Sequence, residues 1–435
     1  MLSRFYIALF LIAGAAPNAF AGEAEDWALH GQSTFIVQYH PGFRSPYRGT
    51  NSMDPGSRGN ETFNATLYAG ARPWDGAEAW ANGEIDQGFG LSNTLGVAAF
   101  VNGQGSKVGK SEPYFRLHRL FFRQTIDLGG DEEDVAASAN QLGASRSHDN
   151  LVITIGKFAT VDIFDANSYA HDPANDFLNW AIIDTGSFDY AADAWGYSYG
   201  LAAEWNTGDW TLRGGFFDLS RVPNGTELTR GFGQYQIDAE LERRFQLFGH
   251  DGKAKILSFA NRGNFGRYDE AVAEAASTLQ IPDTARVRRP SFRSGFVVNL
   301  EQGISDDLGA FLRAGSTDGS READEFTDID NSVAAGLSLK GTSWARGDDT
   351  IGLAFESAGI SRAAQRYLAA GGLGVLVGDG RLPNPAREHV VELYYRAAVF
   401  TGISLSADYQ FIANPAYNSD RGPISVLGLR LHGQF

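Results

Sequence analysis

The chain has 435 residues, with 36 Lys and Arg against 52 Asp and Glu, and it has no cysteine. A formal net charge of −16 argues against nucleic acid as a partner, because binding a polyanion needs a basic surface. The lack of cysteine excludes disulfides, thiolate metal sites and a cysteine nucleophile. With 52 glycines, 12% aromatic residues and a mean hydropathy of −0.24, the composition favours β-structure and excludes a bundle of membrane helices.

The first 21 residues have the pattern of a secretory signal peptide. A short start with Arg4 precedes an apolar run over 5–16, and small residues lead to a cleavage site after Ala21. The alternative is an N-terminal anchor helix, but a run this short does not cross a bilayer core, which needs about 20 residues. We predict residues 1–21 as the signal peptide and 22–435 as one transmembrane β-barrel domain.

Strict alternation along the mature chain predicts strands that face lipid. Over 195–205 one parity carries large apolar residues and the other carries small and polar ones, as expected when successive side chains point to opposite faces. Aromatic residues at both ends of the apolar face are typical of a membrane strand, and this face reads Trp195, Tyr197, Tyr199, Leu201, Ala203, Trp205. A soluble β-sandwich also alternates, so one strand alone does not decide between the two.

The same alternation recurs along the chain and predicts an all-β fold, a 16-stranded antiparallel transmembrane β-barrel. The predicted spans are 32–40, 61–72, 77–87, 113–127, 150–158, 194–205, 210–219, 233–245, 253–262, 291–302, 308–316, 331–340, 350–358, 388–399, 403–412 and 424–435. Short connections then alternate with long ones, as in bacterial outer-membrane barrels. The exception is 128–149, which we predict as a long connection at the short-turn end.

The last strand predicts the location. It alternates from Leu427 to a C-terminal Phe435, an ending typical of the strand by which the barrel assembly machinery recognises outer-membrane proteins. We therefore predict the bacterial outer membrane, with lipid and lipopolysaccharide as surroundings. The basic cluster Arg286, Arg288 and Arg289 in a long loop is suited to lipopolysaccharide contact or to solvation.

One predicted strand, 113–127, breaks the alternation. A strand with strict alternation over this span would place arginine side chains in lipid, at a cost of about 2–4 kcal/mol each near the midplane. A β-bulge near His118 and Arg119 removes this conflict and turns Arg116, Arg119 and Arg123 into the lumen. These arginines form a basic ladder on the pore wall or only balance lumen carboxylates such as Glu84, Asp86, Glu240 and Glu242.

A sixteen-stranded barrel is too wide for wall side chains to fill. Some long loops must therefore fold into the lumen if the pore selects its solutes. The candidates are 88–112 and 159–193, the second of which is rich in aromatic and amide residues. Residues 269–276 have a helical pattern within another loop.

Several stretches resemble the OprB family of carbohydrate-selective outer-membrane porins. They run in order along the mature chain and comprise 45–53, 83–92, 100–103, 156–158, 162–165, 177–180, 408–410, 414–418 and 420–423. The resemblance implies a sixteen-stranded barrel that passes small carbohydrates, chiefly glucose-like monosaccharides, by passive diffusion through an eyelet of inward loops. It also implies arginine, acidic and aromatic side chains at that eyelet. Residues from about 217 to 290 and from 317 to 387 match the family only loosely.

The chemistry of a sugar site selects the candidate residues. Arg donates hydrogen bonds from a planar fork, carboxylates accept them, and an aromatic ring stacks on the apolar face of the sugar. The predicted eyelet residues are Arg44, Arg48, Glu84, Asp86, Arg116, Arg119, Arg123 and Trp180. The alternatives are solvated loop charges for Arg44 and Arg48, structural hydrogen bonds for Glu84 and Asp86, and loop packing for Trp180.

Catalysis is not predicted. The stretch 196–200 matches a nucleophile-elbow pattern, but it lies in an alternating strand without the helix that this motif requires. We therefore expect no enzyme activity and no cofactor. The predicted partners are small sugars, and the protein is a monomer or a homotrimer. The alternative function is that of a general or cation-preferring diffusion porin, which the negative charge suggests.

Overall fold

The computed structural model describes residues 25–105, 107–326 and 328–435. Within this part of the chain, sixteen strands close into one antiparallel barrel in which each strand pairs with its sequence neighbours and β1 pairs with β16. The predicted signal peptide lies outside the described residues. The strands are β1 Trp27–His40, β2 Arg58–Ala71, β3 Ala77–Gly88, β4 Lys110–Val135, β5 Ala144–Phe158, β6 Ser198–Thr207, β7 Trp210–Asp218, β8 Tyr235–Leu247, β9 His250–Phe265, β10 Arg289–Gly303, β11 Leu308–Thr317, β12 Asn331–Gly341, β13 Arg346–Gly359, β14 Glu388–Phe400, β15 Ile403–Ala413 and β16 Ile424–Gln434.

The seam between β1 and β16 shows how alternation builds the wall. Val37 pairs with Leu429, and both side chains are exposed on the outside of the barrel. Their neighbours in the next register pair, Ile36 and Arg430, are buried on the inside. The outer surface is thus apolar and the inner surface largely polar, which is the arrangement that a lipid environment requires.

The sixteen predicted strands are confirmed, and one of the errors at a strand end concerns β6. This strand begins at Ser198, not at residue 194, and Gly196 before it has a φ of +99° that breaks the extended chain. Tyr199 and Leu201 are exposed outside as predicted. Trp195 and Tyr197 were predicted to face lipid, and this is wrong because both precede the strand and contact lumen residues.

The connection predicted at 128–149 is also wrong, because most of it is strand. β4 continues to Val135 and β5 begins at Ala144, so that only 136–143 connects them. Their pairing is interrupted around Gly129 and Gly130, whose φ values of +115° and +89° are positive. Glycine adopts such angles without strain, and a bulge of this kind bends a hairpin.

The tip of this hairpin returns to the inner wall. The side chain of Asn82 donates to Asn140 Oδ1 at 2.9 Å, and Arg123 donates to the backbone oxygen of Asn140 at 2.9 Å. Leu142 is fully buried, and its backbone nitrogen donates to Glu78 at 3.3 Å. The short-turn end, which is periplasmic in bacterial outer-membrane barrels, is therefore partly covered by this turn.

Two long loops fold into the barrel, as predicted. Loop 88–112 is held where the carboxylate of Glu388 on β14 accepts hydrogen bonds from the backbone nitrogens of Ala98 and Ala99. Loop 159–193 is held in the same way by Glu392, which accepts from Leu178 and Asn179. The loops contact each other, since the backbone nitrogen of Trp180 donates to the backbone oxygen of Phe100 at 3.0 Å.

In the described part of the chain, three α-helices lie in the connections between strands. α1 is Trp180–Ile183 in the inward loop, α2 is Tyr268–Thr278, which confirms the helical pattern at 269–276, and α3 is Arg362–Ala369. α2 and α3 meet through the rings of Tyr268 and Tyr367, whose centroids are 4.9 Å apart. Over the described residues no helix has the length and apolar character needed to cross a membrane.

Candidate functional site in the lumen

The β-bulge predicted in the fourth strand is present at His118. On β3, Asn82 pairs with Arg119 while the next residue, Gly83, pairs with Leu117, so that His118 is the extra residue. Leu117 and Leu120 consequently face outward, whereas the side chains of Arg116, His118 and Arg119 all face inward. The extra residue places three basic side chains within four positions on the inner wall.

Arg116 stacks on an aromatic ring from the end of the inward loop. Its guanidinium carbon lies 3.4 Å from the ring centroid of Trp195, a close cation–π contact. Its Nη2 is 3.6 Å from Asp193 Oδ2. Trp195 is oriented by its Nε1, which donates to the hydroxyl of Tyr114 at 3.0 Å. The Arg116 side chain remains 31% exposed in this arrangement.

Arg119 forms a second pair of this kind. It donates to both carboxylate oxygens of Asp162 at 2.8 and 2.6 Å, and its guanidinium carbon is 4.9 Å from the ring centroid of Tyr197. Desolvation inside the barrel pushes the pKa of Asp162 upward, but the charge of Arg119, its hydrogen bonds and the hydrogen bond from the backbone of Ala159 together lower that pKa below its usual range. Asp162 is therefore ionised and holds Arg119 in place.

Glu84, Asp86 and His118 lie beside these pairs. His118 Nε2 is 3.3 Å from Asp86 Oδ2 and 3.7 Å from Glu84 Oε1. The hydroxyl of Thr66 donates to the other oxygen of Glu84. The ring of His118 stacks on Tyr197 with centroids 4.4 Å apart, so that this acidic group and the arginine pairs form one continuous layer of the wall.

The remaining predicted residues lie elsewhere. Arg123 is nearer the short-turn end, where it contacts Glu78 at 3.4 Å and the hairpin tip. Arg44 and Arg48 are exposed in the outer loop 41–57. Arg48 is 3.8 Å from Asp54 and lines a cavity of about 450 Å³ between outer loops. The structure thus brings together Glu84, Asp86, Arg116 and Arg119 and separates the other four predicted residues from them.

Trp180 packs inside the loop assembly. Its ring stacks on Phe100 with centroids 5.0 Å apart and contacts Tyr190 and Phe326 at 5.6 and 5.2 Å. It is 6% exposed, so it presents little surface to a passing solute. This is the loop-packing alternative, in which the ring joins three inward segments.

Sequence reasoning missed five residues of the layer, namely His118, Asp162, Asp193, Trp195 and Tyr197. The two aromatic residues continue the alternation of β6, and this continuity assigned them to the lipid face. The signal against that assignment is the acidic and glycine-containing stretch Asp193–Gly196, which is unsuited to a membrane strand. Asp162 lies in a stretch with the sequence Thr160-Val161-Asp162, which carries no sign of its arginine partner.

Comparison with known proteins gives one family and a set of similar barrels. Residues 50–435 match the model of the family described as carbohydrate-selective porin, OprB family. No curated relative matches the chain in sequence.

The solved structures support the fold. The high-pH structure of Pseudomonas putida OprB is 17% identical, with 94% of each chain covered and a TM-score of 0.71. The low-pH structure of the same protein is 13% identical, covers 94% of this chain and 93% of that one, and has a TM-score of 0.52. The outer-membrane channel DcaP of Acinetobacter baumannii is 11% identical, with 96% and 100% covered and a TM-score of 0.51. Together with the closed sixteen-stranded barrel, the family match shows that this chain belongs to the OprB family of carbohydrate-selective porins and is a channel of the bacterial outer membrane, not an enzyme.

Proposed function

We propose that the protein passes glucose-like monosaccharides by passive diffusion through an eyelet between the inward loops and the inner wall of β3 and β4. The observation that carries the proposal is the pair of stacked contacts, Arg116 on Trp195 and Arg119 on Tyr197. Planar donors beside aromatic faces match a sugar, which offers hydroxyl groups around an apolar ring. Carboxylates of Glu84 and Asp193 in the same layer supply acceptors.

The eyelet is proposed to bind sugars weakly. A transport site must release its solute, so occupancy and release have to balance. We expect a dissociation constant in the millimolar range, which corresponds to about −4 kcal/mol. Trp180 supports the eyelet by holding the loops together, whereas Arg116 and Trp195 contact the sugar.

The test is single-channel conductance of the purified protein in a lipid bilayer, with glucose added in steps. We expect glucose to block the ion current of the wild type at millimolar concentrations. Arg116→Ala and Trp195→Ala should each weaken the block about tenfold, the loss of about 1.4 kcal/mol. Arg221→Ala removes an arginine of an exposed loop ion pair and serves as the matched control.

Two results would contradict the proposal. If the wild type shows no block up to molar glucose, the protein is a general or cation-preferring diffusion porin. If both variants keep the wild-type block, the sugar binds elsewhere in the lumen. Removing the charge of Arg116 should also shift ion selectivity towards cations, because a positive group leaves the eyelet.

The proposal extends to assembly in the membrane. Phe435 exchanges two backbone hydrogen bonds with Gly31 at 3.0 and 3.1 Å, and its ring lies where a side chain at Gly31 would stand. We expect the barrel assembly machinery to recognise this last strand, so that Phe435→Ala lowers the yield of folded barrel in the outer membrane. The mass of the protein extracted with its lipid and lipopolysaccharide distinguishes a monomer from a homotrimer.

A further inference from the structure

Two carboxylates and an imidazole converge on the inner wall without a permanent cation between them. Glu84 and Asp86 are two positions apart on β3 and therefore point to the same side. His118 is turned towards them by the bulge, and the three side chains are almost entirely buried. Potential ligand atoms of all three residues lie within 4.8 Å of one another.

The distances between the ligand atoms are close to those around a tetrahedral ion. Bonds of about 2.0–2.1 Å from zinc to nitrogen or oxygen place two ligand atoms about 3.3–3.5 Å apart. The observed separations from His118 Nε2 are 3.3 Å to Asp86 and 3.7 Å to Glu84. Imidazole and carboxylate together suit zinc and other first-row divalent ions.

The local charges favour a cation. Among the described residues, His118 is the one basic partner within ion-pair distance of either Glu84 or Asp86. Buried carboxylates are normally paired or coordinate metals.

A further oxygen acceptor lies at the edge of the group. Asn64 of β2 is directly opposite Asp86, is 5% exposed, and its Oδ1 has no hydrogen-bond partner in the described chain. An unpartnered buried amide oxygen is costly and is explained by a ligand or an ordered water at this point.

We propose that Glu84, Asp86 and His118 form a binding site for a divalent transition-metal ion of the zinc type. Three protein ligands leave a fourth position open to water from the lumen. A bound ion adds positive charge next to Arg116 and Arg119, which makes the pore less favourable to cations. The proposal does not depend on sugar being the solute of the channel.

The first experiment measures binding directly. The full-length barrel, without a histidine tag, is titrated with Zn²⁺ by calorimetry in detergent, and Co²⁺ is used as a spectroscopic probe of tetrahedral coordination. We expect one Zn²⁺ per chain and a tetrahedral cobalt spectrum. Glu84→Gln and His118→Gln should each weaken binding at least tenfold and abolish that spectrum. His148→Gln removes a half-exposed histidine far from the bulge and serves as the control.

The second experiment measures the effect on the channel. Micromolar Zn²⁺ should lower the single-channel current of the wild type and reduce its cation preference, whereas Mg²⁺ should not. The proposal is overturned if the wild type binds no Zn²⁺ below millimolar concentration, or if a folded Glu84→Gln or His118→Gln variant binds it as the wild type does. Glucose block is recorded in metal-free buffer, so that failure of the sugar proposal and failure of this one are separate results.

Discussion

The inner wall carries lumen-facing arginines in two sectors that differ in how the loops cover them. In the sector of β4, the side chains of Arg116 and Arg119 are 31% and 16% exposed and stack on aromatic rings. In the sector of β10, β11 and β16, Arg293, Arg313 and Arg430 are at most 1% exposed. The first sector keeps part of its arginine surface exposed beside the loop 159–193, and the second is covered by that loop.

The covered arginines bind the protein itself. Arg313 donates to the backbone oxygens of Ala170, Ile182 and Asp165 at 2.7–2.9 Å. Arg430 donates to the oxygens of Pro173, Asn175 and Asp176. Arginines of the same strand parity therefore donate to backbone oxygens of the loop 159–193 in one sector. In the other sector they pair with the carboxylates of Asp162 and Asp193 from that loop and keep part of their surface exposed.

The largest expected effect is that of Arg313→Ala in the covered sector. It leaves the buried carbonyls of Ala170 and Ile182 without donors and Asp165 without its cation at 3.4 Å, so we expect a loss of about 3–5 kcal/mol in folding stability. Arg116→Ala in the open sector should cost about 0–1 kcal/mol, as for a partly exposed ion pair. The measurement is the temperature at which each variant loses its folded mobility on a gel. Equal losses would remove the distinction between the sectors.

The second prediction concerns the acid that holds the covering loop. Glu392→Ala leaves the backbone nitrogens of Leu178 and Asn179 without their acceptor, at a cost of about 1–3 kcal/mol. We expect faster hydrogen exchange in 176–183 and larger current fluctuations with an intact barrel. Glu84→Gln in the open sector should leave this exchange unchanged, and an effect there of similar size would contradict the comparison.

A smaller effect is expected where the open sector meets the bent hairpin. Arg123→Ala removes the donor to the oxygen of Asn140 at 2.9 Å, a contribution of about 1 kcal/mol. The hairpin 125–149 should then be cleaved faster by added protease. Arg146→Ala, which breaks an exposed pair with Glu133 at 3.0 Å within the hairpin, is the control. If cleavage is unchanged by Arg123→Ala, the tip is held by its other contacts.

How much of the fold and of the candidate site can be predicted from the sequence depends on whether the interactions are local or long-range along the chain. The strands and the bulge at His118 were predictable because lipid imposes a local rule on alternate residues, and an arginine that breaks the rule is costly. The sequence does not predict which arginine side chains stay exposed to the lumen. Their exposure depends on the position of a loop that can be more than 100 residues away along the chain, as in the contact of Arg313 with Ala170.

The remaining errors have a similar cause. Trp195 and Tyr197 extend the alternation of β6 by four residues, and their inward direction follows from the turn at Gly196 and from their contacts with β4. The bend of the hairpin at Gly129 and Gly130 is stabilised by contacts of its tip with β3 and β4. The local residue pattern therefore predicts that a strand or hairpin exists, whereas long-range contacts determine its direction relative to the lumen.

The last prediction uses pH to separate two loop acids with opposite shifts. Burial raises the pKa of Glu325 from 4.5 to about 7, although Lys107 at 2.6 Å acts in the other direction. Because the folded state binds this proton more tightly than the unfolded state, its contribution is present at low pH and is lost as the pH rises through about 7. Asp162, whose pKa Arg119 lowers, contributes stability above its ordinary pKa and loses it only in acid.

Hydrogen exchange, corrected for the intrinsic pH dependence of the amide, checks both signs. Segment 318–330 around Glu325 should exchange more slowly at about pH 5.5 than at about pH 8, and Glu325→Gln should remove the difference because an amide cannot ionise. The turn at 160–162 should show no change over that range, since Asp162 stays ionised throughout, and should loosen only below about pH 4. If both segments respond alike between pH 5.5 and 8, the response belongs to the barrel as a whole, and the two sectors do not differ in how their loop acids are held.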